Sequence, residues 1–232
     1  MPFVMTTRRG FLSLLATTPL IAAPTAPIRS IETFRIDYPT QGRFRFFRSG
    51  VRPTVFVKVT TEDGASGWGQ SVPIPTWSYE TPESVAGSIR DYLAPALAGR
   101  NPADIEGAHK AMNAAIAPSF STGMPIAKAG IDLALHDLLR QPLPVVWKRE
   151  PLRQLTLSWT VNPATLDETE SLVEQGKRLG YRHFNVKLAP DPKFDLEMCR
   201  IVRRLAPDAF FWGDANGGYQ PSDALAVAPK LA

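Results

Sequence analysis

Hydrophobic and polar positions follow one periodicity in the first half of the chain and another in the second. In the first half, apolar residues recur at every second position in three segments and at every third or fourth position in two more. These spacings are typical of half-buried strands and of amphipathic helices, and they predict an antiparallel meander followed by helices. The predicted elements are strands at 28–38, 54–61 and 64–73, and helices that begin after Thr81 or Ser84 and near Met124.

The second half alternates regularly between strand and helix patterns. The proline-rich stretch 141–154 separates it from the first half and predicts a domain boundary. Strand–helix repetition at this spacing indicates βαβ units with parallel strands. The predicted strands are 155–161, 183–188 and 209–218, and the predicted helices are 164–179, 192–205 and a segment that begins at 221.

Each strand of the second half carries its polar residues on one face. Because both faces of the central strands in a doubly wound sheet pack against helices, such strands are apolar throughout. In a (β/α)₈ barrel one face points inward, and polar residues at the carboxyl ends of the strands form the active site. The pattern therefore favours a barrel and predicts that Lys187 and Asp214 are partners, although a purely structural ion pair fits it too. The polar sets are Thr156, Ser158 and Thr160; Asn185 and Lys187; and Trp212, Asp214 and Asn216.

Composition narrows the class of protein. The chain has 232 residues, of which 44% are hydrophobic and 21% charged, values ordinary for a globular protein with a sizeable core. A single cysteine, Cys199, excludes an intramolecular disulfide and a Cys/His zinc cluster. The net charge of +4 is mild, and the one basic stretch with interleaved aromatics, 43–52, stands alone, so we expect no nucleic-acid partner.

The N-terminal residues predict an export signal. Arg8 and Arg9 precede a short apolar run that ends in small residues, the layout of a twin-arginine leader. The run is too short and too interrupted to span a bilayer, so we expect no stable membrane anchor. We assign 1–27 to the leader and predict export to the periplasm.

Four stretches together resemble one known family. They are "VFVKVTTEDGASGWGQSVP", "AKAGIDLALHDLL", "FNVKL" and "WGDANGGY". Their order and spacing are similar to those of the enolase superfamily, in its mandelate racemase/muconate lactonizing enzyme branch. The resemblance implies an α+β capping domain, here 28–150, followed by a TIM-type (β/α)₈ barrel, here 151–232 and incomplete.

The resemblance also implies roles for individual residues. Asp214 matches the first ligand of a divalent cation, Mg²⁺ or Mn²⁺, and Asn216 follows it as in the family's Asp-x-Asn pattern. Lys187 matches the second lysine of the family's Lys-x-Lys motif, which acts as general base or acid. Asn185 stands where the family has the first lysine, so this position contributes a hydrogen bond but no positive charge.

The resemblance implies that loops of the capping domain cover the substrate. The first of these loops, at about 39–52, carries Arg45 and Arg48, which suit a carboxylate or acid sugar, although a solvated basic loop fits equally. The second, at about 73–80, carries Trp77. Ser158 and Thr160, on the inward face, are further candidate substrate contacts. His109, His136 and His183 are interpreted as structural.

These inferences lead to two functional hypotheses. The first is a lyase or isomerase that abstracts the proton α to a carboxylate, which leads to dehydration or to epimerisation or racemisation of a small carboxylic or sugar acid. On the arginines alone, a sugar-acid dehydratase is slightly favoured over a racemase, cycloisomerase or dipeptide epimerase. Such an enzyme is expected to form homo-oligomers. The second is a non-catalytic domain that keeps the fold and binds a ligand or partner. A third, a periplasmic α/β binding protein, is disfavoured by the polar inward faces. Since only three barrel strands are predicted, we expect the chain to be the N-terminal portion of a longer enzyme and to show no turnover alone.

Overall fold

The computed structural model describes residues 26–39, 51–75, 78–119, 122–141, 143–150 and 152–231. These residues separate into two compact units, one built mainly from Val51–Arg149 together with the strand that precedes it, the other from residue 150 onward. The predicted export leader, 1–27, lies almost wholly outside the described residues and stays a prediction. Within the described ranges, no helix has the length and apolar character needed to cross a membrane.

The first unit is a three-stranded sheet covered by helices, in which β2 and β3 are antiparallel. Its strands lie in the order β1-β2-β3, as predicted for a meander. Thr81 caps the first helix and Ser84 completes a capping box with it, so both residues predicted as alternatives take part. The elements are β1 (Ile28–Pro39), β2 (Val51–Thr61), β3 (Ser66–Ser71), α1 (Pro82–Ser88), a π-helical turn (Ile89–Leu93), α2 (Ala94–Leu97), α3 (Ile105–Ala115), α4 (Pro125–Leu139) and α5 (Leu143–Val146).

Helix α4 packs so closely on β3 that the backbones of the two elements are in direct contact. A Cβ atom added to Gly69 would lie 1.9 Å from the carbonyl oxygen of Gly130, and one added to Gly67 would lie 2.3 Å from that of Ala134. No side chain fits at these distances, so glycine is required on β3. Two of the four motifs, around "GWGQ" and "AKAGIDLALHDLL", are therefore the two sides of one contact.

The buried residue Glu80 fixes the start of α4. Its carboxylate accepts hydrogen bonds from the backbone amides of Ile126 and Ala127, at 2.7 and 2.9 Å. Glu80 is fully buried, and its negative charge lies at the positive end of the helix dipole. It thus satisfies amide groups that the first turn of a helix leaves without intrahelical partners.

The second unit is a parallel three-stranded sheet with the order β4-β5-β6. Apolar residues of β5 and α7 form its core, including Phe184, Val186, Met198 and Val202. The parallel sheet confirms the predicted βαβ units. Three strands do not establish a barrel, so the barrel stays a prediction. The elements are β4 (Trp159–Val161), α6 (Leu166–Arg178), β5 (His183–Lys187), α7 (Pro192–Leu205), β6 (Phe210–Asp214) and α8 (Pro221–Leu231).

Strand β4 is shorter than predicted. The sequence predicts a strand over 155–161, whereas the structure has one only over Trp159–Val161. Trp159 pairs with Phe184, and β5 begins one residue earlier, so residues 155–157 have no partner on this neighbour. Leu155 and Leu157 are accordingly 68% and 63% exposed.

Candidate functional site

The candidate site lies at the carboxyl edge of the parallel sheet. Lys187 is the last residue of β5 and Asp214 the last of β6, and the two are paired in the strand register. Beyond them, the amide of Leu188 donates to the carbonyl oxygen of Asp214 at 3.0 Å. Side chains alternate along each strand, so Lys187 and Asp214 leave the sheet on the same face, opposite buried Val186.

Lys187, Asp214 and Asn216 form a connected polar cluster. The Nζ atom of Lys187 donates to Oδ2 of Asp214 at 2.6 Å and to Oδ1 of Asn216 at 3.2 Å. The backbone amide of Asn216 donates to Oδ1 of Asp214 at 2.9 Å. The side chains of Lys187 and Asp214 are 15% and 31% exposed, so the cluster is partly shielded but reachable from solvent. The structure thus brings together three of the predicted site residues.

The hydrogen bond from Lys187 is the main influence on the acidity of Asp214. It lowers the pKa of the Asp214 carboxyl below its ordinary value, and partial burial opposes this shift only in part. The amide of Asn216 lowers this pKa further. Asp214 is therefore a carboxylate at neutral pH, as a proton-transfer partner or a cation ligand must be.

Asn185 and Thr160 lie in the adjacent row of same-face residues, further from the carboxyl edge than Lys187. Thr160 pairs with Asn185, and Asn185 with Trp212, so the three form one row across the sheet. The Oδ1 atom of Asn185 is buried and has no hydrogen-bond partner among the described residues. Ser158 precedes β4 and is not in the sheet.

Three predicted substrate contacts and the histidines are the other residues that the sequence singled out. Arg45, Arg48 and Trp77 lie outside the described residues. His183 begins β5, at the end opposite Lys187, and its ring lies 5.4 Å from that of Phe210. In the first unit, His109 hydrogen-bonds Asp132 at 2.7 Å.

The described residues do not form a complete magnesium site. Mg²⁺ takes near-octahedral oxygen coordination, usually from more than one carboxylate or from substrate as well. Across the described ranges, no three His, Cys, Asp or Glu side chains are grouped so that they could hold a metal ion. Asp214 supplies one carboxylate and Asn216 one amide oxygen, and both already accept hydrogen bonds from Lys187. We therefore derive no chemical step through a metal.

Two residues near the edge were missed by the sequence interpretation. Asp195, in the first turn of α7, is fully buried and accepts a hydrogen bond from the hydroxyl of Tyr219, which follows β6. The signal was present, because Asp195 occupies the same helical stripe as buried Met198, Cys199 and Val202. An acidic residue on an apolar stripe indicates a buried, partnered carboxylate.

Comparison with known proteins identifies the same family as the motifs. The family model for the mandelate racemase / muconate lactonizing enzyme N-terminal domain matches residues 37–146. A chloromuconate cycloisomerase from Cupriavidus necator is 31% identical over 214 residues, which cover 88% of this chain and 56% of that protein. The chain thus spans little more than half the length of such relatives.

Solved structures agree with this assignment. The N-succinyl Arg/Lys racemase from Bacillus cereus superposes with a TM-score of 0.79 at 26% identity, covering 89% of this chain and 57% of that one. A dipeptide epimerase from Cytophaga hutchinsonii, complexed with Mg and the dipeptide D-Ala-L-Val, shares the fold with a TM-score of 0.77 at 23% identity, over 88% of this chain and 56% of its own. The predicted family is confirmed: this chain is a relative of the mandelate racemase and muconate lactonizing enzymes, within the enolase superfamily.

Proposed function

We propose that Lys187 is the acid–base group of a site that moves the proton α to a carboxylate, in an isomerase of small carboxylic acids. The observation that carries this proposal is the 2.6 Å contact between Lys187 and Asp214 at the carboxyl ends of adjacent parallel strands. The named relatives, a cycloisomerase and a racemase, support isomerisation over the sugar-acid dehydration that the arginines of the first loop slightly favoured. We further propose that the substrate is a small carboxylic acid and that the reaction requires Mg²⁺ or Mn²⁺.

The contacts of Lys187 support this role. Its amine, when neutral, accepts the α-proton, and the resulting ammonium returns a proton to the carbanionic carbon. The ammonium form is held by Asp214 and Asn216 in the arrangement described above. Because Asp214 stays ionised, it stabilises the ammonium and orients the Nζ atom between turnovers.

Isotope exchange tests the role of Lys187. The protein that contains this chain is incubated in D₂O with a panel of dipeptides, N-acyl amino acids and sugar acids, and loss of the α-proton signal is followed by NMR. Lys187→Gln is expected to lower exchange by about a thousandfold, the middle of the range for acid–base catalysis. Lys177→Gln is the control, since Lys177 is an exposed lysine of α6 paired with Glu174. Exchange that survives Lys187→Gln would contradict the proposal.

Asn185 favours a second candidate function, a domain that binds acids without turning them over. An amide replaces the positive charge implied by the resemblance, and its buried Oδ1 has no partner in the described part of the chain. An acid of the panel that binds in calorimetry but shows no α-exchange under any metal condition would favour this candidate.

We also propose periplasmic export and self-association. Both rest on the sequence: the first on Arg8 and Arg9 in the leader, the second on the family resemblance. A reporter fused to residues 1–27 should leave the cytoplasm only in cells with a functional twin-arginine pathway, and the double change of Arg8 and Arg9 to lysine should retain it. Sedimentation of the mature protein measures the oligomer.

A further inference from the structure

Asp195 carries a carboxylate that is shielded from water. This residue is fully buried on α7, in the core of the second unit. An ionised carboxylate removed from water is unfavourable unless hydrogen bonds compensate it. Its partners therefore show what the carboxylate stabilises.

The partners of Asp195 belong to the two loops that follow the site strands. Its Oδ2 atom accepts from the backbone amide of Ala189 and from the hydroxyl of Tyr219, each at 2.6 Å. Ala189 lies two residues beyond Lys187, and Tyr219 lies five residues beyond Asp214. One oxygen atom thus joins the loop that leaves β5 to the loop that leaves β6.

The backbone at Ala189 supports a positioning role. Ala189 is fully buried and has a φ of +70°, in the left-handed region that residues with a Cβ atom disfavour. Such a conformation persists where surrounding contacts enforce it, and it clusters at functional sites. The bond to Asp195 is one of those contacts.

Tyr219 remains a hydrogen-bond donor over the whole range of physiological pH. Burial and the bond to Asp195 both raise the pKa of its hydroxyl above the ordinary value. The bond between the loops is therefore not lost through ionisation of Tyr219.

We propose that Asp195, Ala189 and Tyr219 form a latch that positions Lys187 against Asp214. The strand pairing ends at these two residues, and beyond it the bond from the Leu188 amide and the latch join the β5 and β6 loops. Without the latch the loop after β6, which also carries Asn216, can move away from Lys187. Asp195 and Tyr219 are thus positioning residues. The catalytic consequence rests on the proposed function, whereas the geometric consequence does not.

NMR of lysine side chains tests the geometry without any turnover. The chain is labelled with ¹⁵N-lysine, and the Lys187 ammonium signal is assigned by its absence in Lys187→Arg. An ammonium held in a close ion pair is shielded from exchange with water. Tyr219→Phe, which keeps the ring and removes the hydroxyl, is expected to broaden or shift this signal. Tyr181→Phe is the matched control, since Tyr181 packs on Trp159 near the other end of the sheet.

A second pair of variants separates the latch from a general effect on α7. Asp195→Asn is expected to perturb the Lys187 signal as Tyr219→Phe does. Asp191→Asn weakens the N-cap of the same helix, where Asp191 accepts from the amides of Lys193 and Phe194, and should leave the signal in place. If Asp195→Asn does not fold, Tyr219→Phe alone decides. An unchanged Lys187 signal in Tyr219→Phe, or global unfolding of that variant, would overturn the proposal.

Kinetics add a readout that depends on the proposed function. In the protein that contains this chain, Tyr219→Phe should lower kcat for α-proton exchange by about tenfold or more, with a smaller change in KM, because misplacement of a reacting group affects the chemical step. An equal loss in Tyr181→Phe would contradict the latch. If the unmodified protein catalyses no exchange, the proposed function fails while the NMR result still decides the latch.

Discussion

Glu80 in the first unit and Asp214 in the second are both hydrogen-bonded carboxylates, yet they serve different purposes. Glu80 is fully buried and accepts from two backbone amides at the start of α4. The side chain of Asp214 is 31% exposed at a sheet edge and accepts from an ammonium group. A carboxylate bonded to buried backbone stabilises the fold, whereas one that faces a titratable partner and solvent remains available for chemistry.

The same difference holds for the two units as a whole. In the first, the resemblance motifs meet in the contact between β3 and α4, which is closed by glycines. In the second, they meet in the cluster of Lys187, Asp214 and Asn216. Substitutions in the contact between β3 and α4 should therefore change stability. Substitutions of Lys187 or Asp214 should change function with little change in stability.

The largest effect is expected for Gly69→Ala. The new methyl group would overlap the backbone of Gly130, which no side-chain rotation can relieve, so β3 and α4 must separate. Overpacking of this kind costs about 3 kcal/mol or more. Urea unfolding, with hydrogen exchange followed separately for peptides of each unit, should show the loss in the first unit.

The matched control is Gly87→Ala. Gly87 lies in α1, and a Cβ atom added there meets nothing within 4 Å. Because alanine favours a helix more than glycine does, this variant should be more stable by about 0.5–1 kcal/mol. Equal behaviour of the two variants would mean that β3 and α4 are not in backbone contact.

A smaller loss is expected for Glu80→Gln. The variant keeps the size of the side chain but removes the charge and one acceptor oxygen, so one of the amides of Ile126 and Ala127 loses its partner inside the protein. We expect a loss of about 2 kcal/mol in the free energy of unfolding, since hydrogen bonds to charged groups are the stronger ones. Glu83→Gln, at an exposed glutamate of α1 that pairs with Arg35, is the matched control and should lose much less, because water screens an exposed ion pair. If Glu80→Gln lost no more stability than Glu83→Gln, Glu80 would not stabilise the start of α4.

The sequence predicted helices and strands better than it predicted the contacts between residues that are distant in the chain. Periodicity located the helix over Pro192–Leu205, and strand alternation placed Lys187 and Asp214 on one face, because both depend on local geometry. The alternation pattern overestimated the length of β4, because strand length depends on where the neighbouring β5 begins. The bond between Asp195 and Tyr219 joins residues 24 apart in the chain and has no periodic signal of its own.

The pH dependence of stability should reveal Tyr219. Its pKa is raised in the folded chain above the ordinary value of 10.0. Its contribution to stability is therefore complete below about pH 10 and declines as the pH rises, because the unfolded chain ionises this tyrosine first. The stability difference between the unmodified chain and Tyr219→Phe should shrink by about 1 kcal/mol between pH 9 and pH 11, less than a fully buried tyrosine would give. A difference that stays constant in urea titrations over this range would contradict the raised pKa.

Only a small loss of stability is expected for Lys187→Gln, the change that should most affect function. Solvent reaches the side chain of Asp214, so water can replace the ammonium when Lys187 is removed. We expect a loss of about 1 kcal/mol, and Asp214→Asn should cost about the same. In the double variant, the losses should sum to little more than either alone, because both changes remove the same bond. A loss of about 3 kcal/mol or more in Lys187→Gln would instead identify a buried structural ion pair, the alternative that the sequence left open, and the two units would then no longer differ in the way their carboxylates are used.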